Sequence, residues 1–465
     1  MFRVFGQYVP VKSFILVFSE MLMIAGSLYL ALWIRLHEAT DFRVYVNQPY
    51  VLLKVVAVLV VCFVCFYYND LYDLRAVSRR WELLIRLTQA LGATCVLLAI
   101  LYFVFPDLML GRGVFVLSVA IFSAALILWR MILDFTGTFF RPEQKVLVAG
   151  TGALGIELVK EILEHPELNF NVLGFLGESP DQVGKPLVNP GIIGTIEDVD
   201  DIAFSKTADR VILALAERRR QMPLRQLLRL KMSGVKIEEA HALFEKLTGR
   251  ILLNQLSPSF LILSDGFKKT RFQRFMKRSS DVIIASIGLV LMSPILVVIA
   301  ALIYLESGRP IFFRQLRTGY KGREFQMLKF RSMRQDSESG GAKWAQQGDS
   351  RITRVGKFIR IYRLDEIPQF INVLRGEMSI IGPRPEQPLL VQMLQEKIPF
   401  YQERHNVRPG ISGWAQIRFK YGASIEDTET KLEYDLFYIK HMSPTFDLAI
   451  AFRTVQVMIF GHGAV

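Results

Sequence analysis

Cysteine is scarce in this chain: three in 465 residues, at Cys62, Cys65 and Cys95, all inside apolar runs. They form no disulfide framework, and with six histidines the chain has no Cys/His spacing of a metal site. No recognition-helix or stacking-sheet motif is present. The basic balance, net charge +13 and pI ≈ 9.6, is therefore not read as nucleic-acid binding. A small-residue cleavage site is also missing after the first apolar run, so the N-terminus reads as an anchor and not a cleaved signal. What the chain has instead is apolar surface. It is 51% hydrophobic with a mean hydropathy of +0.30, and that combined with basic segments points to a membrane protein with cytoplasmic basic loops. The length suits about three domains.

Four long apolar runs open the chain: Val11–Ile34, Pro49–Tyr68, Leu83–Phe105 and Gly113–Phe135. Each is long enough to cross a hydrocarbon core of about 30 Å. Arg75, Arg79 and Arg80 mark the second loop, and Arg130, Arg141 and Lys145 the exit of the fourth run, whereas the third loop offers only Arg112. The positive-inside rule then puts the N-terminus and everything after Phe140 in the cytoplasm, with Arg35 and Arg43 in the first loop dissenting.

An α/β segment follows. A buried strand, Lys145–Ala149, runs into Gly150-Thr-Gly-Ala-Leu-Gly155 and a helix, Ile156–Glu164. Further strands are expected at Val172–Leu176, Arg210–Leu215 and Val235–Glu238, with a helix over Gln221–Ser233. The pattern predicts a Rossmann-like domain in which Gly150, Gly152 and Gly155 form a possible nucleotide loop and Glu178 stands where a ribose-binding acid would be. The same glycines can serve only the tight turn and close helix packing.

A basic linker precedes a fifth apolar run, Val282–Tyr304, interrupted by Ser293-Pro294 and flanked by basic clusters on both sides. A simple crossing would export one of those clusters. Proline removes a rung of the helical ladder and permits a bend. The expectation is a re-entrant helix over 281–304, broken at Ser293 and Pro294, that dips into one leaflet of the lipid bilayer and returns. A fifth crossing is the competing reading.

The remainder is mixed and globular. Its centre is Arg360-Ile-Tyr-Arg-Leu-Asp-Glu-Ile-Pro-Gln369, where Asp365 and Glu366 sit among arginines, followed by Gly382-Pro-Arg-Pro-Glu386 and the turn-rich Arg404–Ile417. Asp365 is a candidate helix cap, given Pro368 in the first turn. If Phe325–Met333 is a strand, Lys329 and Arg331 share a face. Asp336–Asp349 reads as a polar loop, and Glu429–Lys440 and Thr445–Phe460 as helices. Arginine forks suit phosphate, and a diphosphate beside carboxylates calls for Mg²⁺. A carboxylate can itself attack phosphorus. The residues thus suggest phosphoryl transfer between a nucleotide compound and a lipid phosphate.

The motifs Lys329-Phe-Arg-Ser-Met333, Leu364-Asp-Glu-Ile-Pro-Gln369, Asn372-Val-Leu-Arg-Gly-Glu-Met-Ser379, Gly382-Pro-Arg-Pro-Glu386 and Val407-Arg-Pro-Gly-Ile-Ser-Gly-Trp-Ala-Gln416 resemble those of the large bacterial polyprenyl-phosphate phosphoglycosyl transferases. The resemblance is dense over 265–465. It implies transfer of a sugar-1-phosphate, typically glucose or galactose, from a UDP-sugar to polyprenyl (undecaprenyl) phosphate, with release of UMP, in exopolysaccharide or other surface-glycan synthesis. It implies Asp365 as the nucleophile assisted by Glu366, Mg²⁺ at that pair, and Arg384 and Arg408, with Lys329 and Arg331, as phosphate-binding residues. It further implies a bacterial inner-membrane enzyme with a cytoplasmic catalytic domain, and a homodimer. Ser412 stands where the family usually has Thr, and Arg418-Phe-Lys-Tyr421 departs somewhat from the family pattern. The expected domains are a four-helix transmembrane domain (1–142), a Rossmann-like domain (143–264) and a mixed α/β catalytic module (265–465). A membrane dehydratase or epimerase competes, although no Tyr-x-x-x-Lys pair follows the glycine loop at a useful distance. So does a non-catalytic scaffold, against which the intact acidic pair and arginine motifs argue.

Overall fold

The structure, a computed structural model, describes residues 2–4, 7–9, 11–36, 39–48, 50–72, 80–139, 143–215, 222–256, 261–262, 264–333, 351–419 and 424–460. The polar segment Asp336–Asp349, the loop arginines Arg75, Arg79 and Arg141, and Lys420 and Tyr421 lie outside the described residues. The chain divides into two compact units, one holding Tyr8–Ala240 and the other His241–Val465.

The first unit opens with α1 (Val11–Leu36), a short α2 (Ala39–Val46), α3 (Val51–Tyr68), α4 (Arg80–Val104) and α5 (Arg112–Phe139). All but α2 are long and apolar enough to cross a membrane. A helix satisfies every main-chain polar group within itself, as an apolar solvent demands. One stripe of each helix packs inward, around Leu28, Val58, Phe66, Leu98 and Phe122. The opposite faces leave Phe18, Trp33, Leu52, Phe103 and Val116 exposed. In water that surface would be costly, whereas against lipid it is the solvent match. Arg130 was counted above as a marker of a basic loop. It lies instead within the apolar stretch of α5 and pairs with the fully buried Glu20 at 2.6 Å, while donating to the Leu71 carbonyl.

The α/β part follows: β1 (Gln144–Ala149), α6 (Ala153–Glu164), β2 (Phe170–Gly177), β3 (Ile192–Thr195), α7 (Val199–Ser205), β4 (Arg210–Leu213), α8 (Leu224–Met232) and β5 (Lys236–Glu239). Its five strands are all parallel, in the order β3-β2-β1-β4-β5. The glycine loop leaves β1 and enters α6. A Cβ on Gly150, where φ is +113°, would meet the Ala214 carbonyl at 2.6 Å, and one on Gly155 would meet the Ala214 side chain at 3.0 Å. These two glycines therefore let α6 close on the end of β4; Gly152 is the N-cap of α6.

The second unit begins with α9 (Ala240–Thr248). The sequence expectation put the start of this module at 265, but Trp414 donates to the Gly249 carbonyl, Arg250 pairs with Glu433, and Ile251 and Leu253 join the core around Tyr401, Trp414 and Leu436. Next is α10 (Arg271–Ser307), then a β6–β7 antiparallel hairpin (Phe312–Thr318, Glu324–Phe330). The chain continues through α11 (Arg354–Ile361), α12 (Gln369–Arg375), β8 (Ser379–Ile381), α13 (Pro388–Lys397), β9 (Gly410–Ser412), α14 (Trp414–Arg418), α15 (Ile425–His441) and α16 (Pro444–Phe460). β8 and β9 pair in parallel.

The sequence led to an interruption at Ser293-Pro294, yet α10 is continuously helical for 37 residues. Proline at 294 deprives the Val290 carbonyl of its usual donor, and the Ser293 hydroxyl supplies one at 2.7 Å. Both ends of α10 pack on the same unit. Arg278 donates to the carbonyls of Val373 and Leu374 in α12, and Glu306 accepts from the Arg354 and Val355 amides of α11. Between them Val290, Leu291, Val297 and Leu305 are exposed.

Candidate active site

The acidic pair sits on a single 3₁₀ turn, Leu364–Glu366, between α11 and α12. Arg363, just ahead, holds a left-handed φ of 51°, which turns the chain sharply out of α11. Pro368 is the N-cap of α12, and no side-chain capping bond is made there, so Asp365 does not serve as a helix cap. Asn372, fully buried on α12, stitches the turn to the hairpin. It accepts from the Leu328 amide at 3.0 Å and donates to the Gln326 carbonyl at 2.8 Å. That suture brings β7 alongside, and Lys329 reaches Glu366 at 2.8 Å.

Arg384 arrives from the other side, on the loop after β8. Gly382 lets this loop lie against the 408–410 backbone, since a Cβ there would meet the Arg408 carbonyl at 2.4 Å. The Arg384 guanidinium donates to Glu366 at 3.0 Å. One Glu366 oxygen thus takes two cations, while no described residue hydrogen-bonds the Asp365 carboxylate, although only 8% of that residue is exposed.

The carboxyls of the two neighbours are shifted in opposite directions. Burial pushes the Asp365 carboxyl above its ordinary range, and Lys329 counters this only in part. Burial acts on Glu366 too, but Lys329 and Arg384 outweigh it and hold that carboxyl well below the usual range. Arg360 adds positive potential at Asp365, and its Nη1 is buried with no hydrogen-bond partner among the described residues. Among the described residues no cluster of three or more His, Cys, Asp or Glu side chains forms. Two adjacent carboxylates, one of them hydrogen-bonded by no described residue, nonetheless fit a hard divalent cation that would take its remaining ligands from substrate phosphate and water.

Of the residues singled out in the sequence, Asp365, Glu366, Lys329 and Arg384 come together. Arg331 does not join them: β7 ends at Phe330, so the alternation stops, and the Arg331 guanidinium grips the Ser307 and Gly308 carbonyls at the end of α10. Arg408 bonds the Gly376 carbonyl and lies over the Tyr320 ring. Ser412 bonds Thr454 of α16. Ser293 and Pro294 lie mid-way along α10, and Gly150, Gly152 and Gly155 belong to the other unit. The sequence reading missed three groups. Asn372 stood inside a motif, but only pairing with β7 reveals its use. Lys277 joins Asp281 and Asp447 and donates to the Ile381 carbonyl, rooting the loop that carries Arg384. The third group is Arg404 with Asp435: Arg404 opens the turn-rich stretch already singled out, but its pairing with a residue 31 positions on is not visible in the sequence.

The family described as bacterial sugar transferase matches residues 272–461, and a CoA-binding domain family matches 68–239. A UDP-glucose:undecaprenyl-phosphate glucose-1-phosphate transferase of Klebsiella pneumoniae is 31% identical over 459 residues, covering 94% of this chain and 93% of the relative. A UDP-N-acetylgalactosamine-undecaprenyl-phosphate N-acetylgalactosaminephosphotransferase of Aeromonas hydrophila is 45% identical over 240 residues, 52% of this chain and 56% of that protein. A UDP-glucose:undecaprenyl-phosphate glucose-1-phosphate transferase of Escherichia coli is 44% identical over 184 residues, 39% of this chain and 40% of that protein. The matches to the last two thus span about half or less of their length.

Proposed function

The chain belongs to the bacterial sugar transferases, a family of sugar-phosphate transferases, and on that premise we propose that it moves a hexose-1-phosphate from a UDP-sugar to undecaprenyl phosphate. The product is undecaprenyl-diphosphate-sugar and the leaving group UMP. The observation that carries this reading is the contrast within the acidic pair: Glu366 is clamped by Lys329 and Arg384, while no described residue hydrogen-bonds the buried Asp365 carboxylate. Asp365 attacks the β-phosphorus, an Asp–phosphosugar bond forms, and the bond to the UMP oxygen breaks with its electron pair leaving on UMP. An oxygen of the lipid phosphate then attacks the same phosphorus and releases the carboxylate. Arg384 and Lys329 hold phosphate oxygens as charge shifts between them. Mg²⁺, held by Asp365 and Glu366, supplies charge neutralisation on the diphosphate when bound. Arg408 is the proposed second phosphate arginine, which requires it to leave the Gly376 carbonyl.

A lipid substrate requires a site at the bilayer surface. The contacts of both ends of α10 with one unit support a re-entrant placement, because a crossing helix would carry those ends to opposite sides. The catalytic unit then lies on the cytoplasmic face of the inner membrane, and the α/β part serves homodimer formation or regulation.

The deciding experiment is UMP release by purified protein from UDP-glucose, UDP-galactose and UDP-N-acetylgalactosamine, with and without undecaprenyl phosphate, in Mg²⁺ or EDTA. Acceptor- and Mg²⁺-dependent UMP from one sugar is expected, with a stoichiometric burst before acceptor is added. Well-folded protein that releases none would overturn the reading.

A further inference from the structure

Arg404 is almost fully buried, on a 3₁₀ turn (Tyr401–Asn406) that the mechanism above does not use. A buried guanidinium needs a counter-charge and acceptors for its donors. Asp435, from the middle of α15 and 2% exposed, supplies the charge at 2.9 Å. The buried Tyr401 hydroxyl accepts from Nη1 at 2.6 Å, and the guanidinium also lies over the Tyr401 ring. Nη2 makes a second bond, at 2.9 Å, to the main-chain carbonyl of Arg384.

That carbonyl belongs to a residue with a single described side-chain contact. The Arg384 side chain is 43% exposed, and its guanidinium is fixed only where it meets Glu366. Its backbone is the better-defined part. Pro383 and Pro385 on either side restrict the dihedrals, Gly410 donates to the Pro383 carbonyl, and Arg317 donates to the Pro385 carbonyl. Arg404 holds the peptide between these two. Donors from three elements therefore hold three consecutive carbonyls, and the middle one belongs to the arginine proposed to bind phosphate.

We propose that Arg404, held by Asp435 and Tyr401, is a positioning residue for the transfer: it fixes the Arg384 main chain and thereby sets where the Arg384 guanidinium meets Glu366 and the substrate phosphate. This rests on the reading of Arg384 as a phosphate ligand. Lysine at 404 keeps the charge but not the fork that spans Tyr401, Asp435 and the carbonyl together.

The test is a double-mutant cycle on the full-length protein in native lipid particles, reading kcat and KM for UMP release from UDP-glucose and UDP-N-acetylgalactosamine. Arg404→Lys is expected to lower kcat about a hundredfold, the scale of a displacement of roughly 1 Å at a reacting centre. In an Arg384→Ala background the same substitution is expected to cost less than about twofold, because its only route to the chemistry is gone. A loss of equal size in both backgrounds, or no loss in the first, overturns the proposal while leaving the phosphate role of Arg384 intact. If Arg384→Ala itself leaves UMP release unchanged, that role fails and the proposal with it. Tyr401→Phe, which removes one brace and is expected to cost about fivefold, carries the same cycle should Arg404→Lys not fold.

Discussion

Asp365 and Glu366 are adjacent in the chain and 8% exposed each, yet their surroundings set them to different work. Glu366 is stabilised as an anion by Lys329 and Arg384, whereas burial works against ionisation of Asp365. Asp365→Asn is therefore expected to abolish UMP release, leave UDP-sugar binding measurable, and raise Tm, because a buried carboxylate has been neutralised. Glu366→Gln should lower stability by about 3 kcal/mol, since it leaves two cations without their anion. Calorimetry with ligand titration separates the two; an active Asp365→Asn protein would sink the covalent step. pH follows the same signs. The pKa of Asp365 is raised in the folded state, so its stabilising effect is complete at low pH and is lost as pH rises through that value. Glu366 has a depressed folded value, so its contribution holds at neutral pH and fades only as pH falls through that value. Since the attacking group must be ionised, kcat is expected to rise with pH through the raised Asp365 value, above the usual aspartate range. A pH–rate profile with no acid limb there would contradict this.

At the scale of elements, the sequence was most legible where a local rule and the tertiary structure agree. The strands Lys145–Ala149 and Arg210–Leu215 were found as β1 and β4, because a continuous apolar run between turns has one outcome in a parallel sheet. The Lys329 face was readable from alternation, and Arg331 was not, because where β7 stops is decided by the end of α10 that Arg331 caps. The clustering of the acidic pair with Arg384 was legible only through the motifs. The grip of Asn372 on β7 depends on a pairing 44 residues distant, which no local pattern encodes. For α10 the expected interruption is absent because Ser293 satisfies the carbonyl that Pro294 abandons. Ser293→Ala should cost about 1 kcal/mol of stability. The re-entrant placement makes a sharper prediction. Single cysteines introduced as Arg271→Cys and Gly308→Cys should both react with an impermeant thiol reagent from the cytoplasmic face; reaction from opposite faces would establish a crossing.

For the whole molecule, each unit joins apolar helix surface to a mixed α/β part, and the two differ in how plainly the sequence shows them. The sequence announced the second through dense motifs and the first only through apolar runs and a glycine loop, since lipid-facing and sheet-packing positions accept many residues. Gly155→Val, which crowds Ala214, is expected to lower Tm with little change in kcat per folded molecule; a selective loss of kcat would instead show that the α/β part acts on the chemistry. The proposed homodimer is checked by the mass of native lipid particles. The Glu20–Arg130 pair has a consequence for how the protein is made. Either charge alone inside a bilayer costs about 3 kcal/mol or more. Glu20 precedes Arg130 by 110 residues, so the first helix is expected to settle fully only once the last one supplies its partner. Closure of the bundle is thus expected to wait on its last helix.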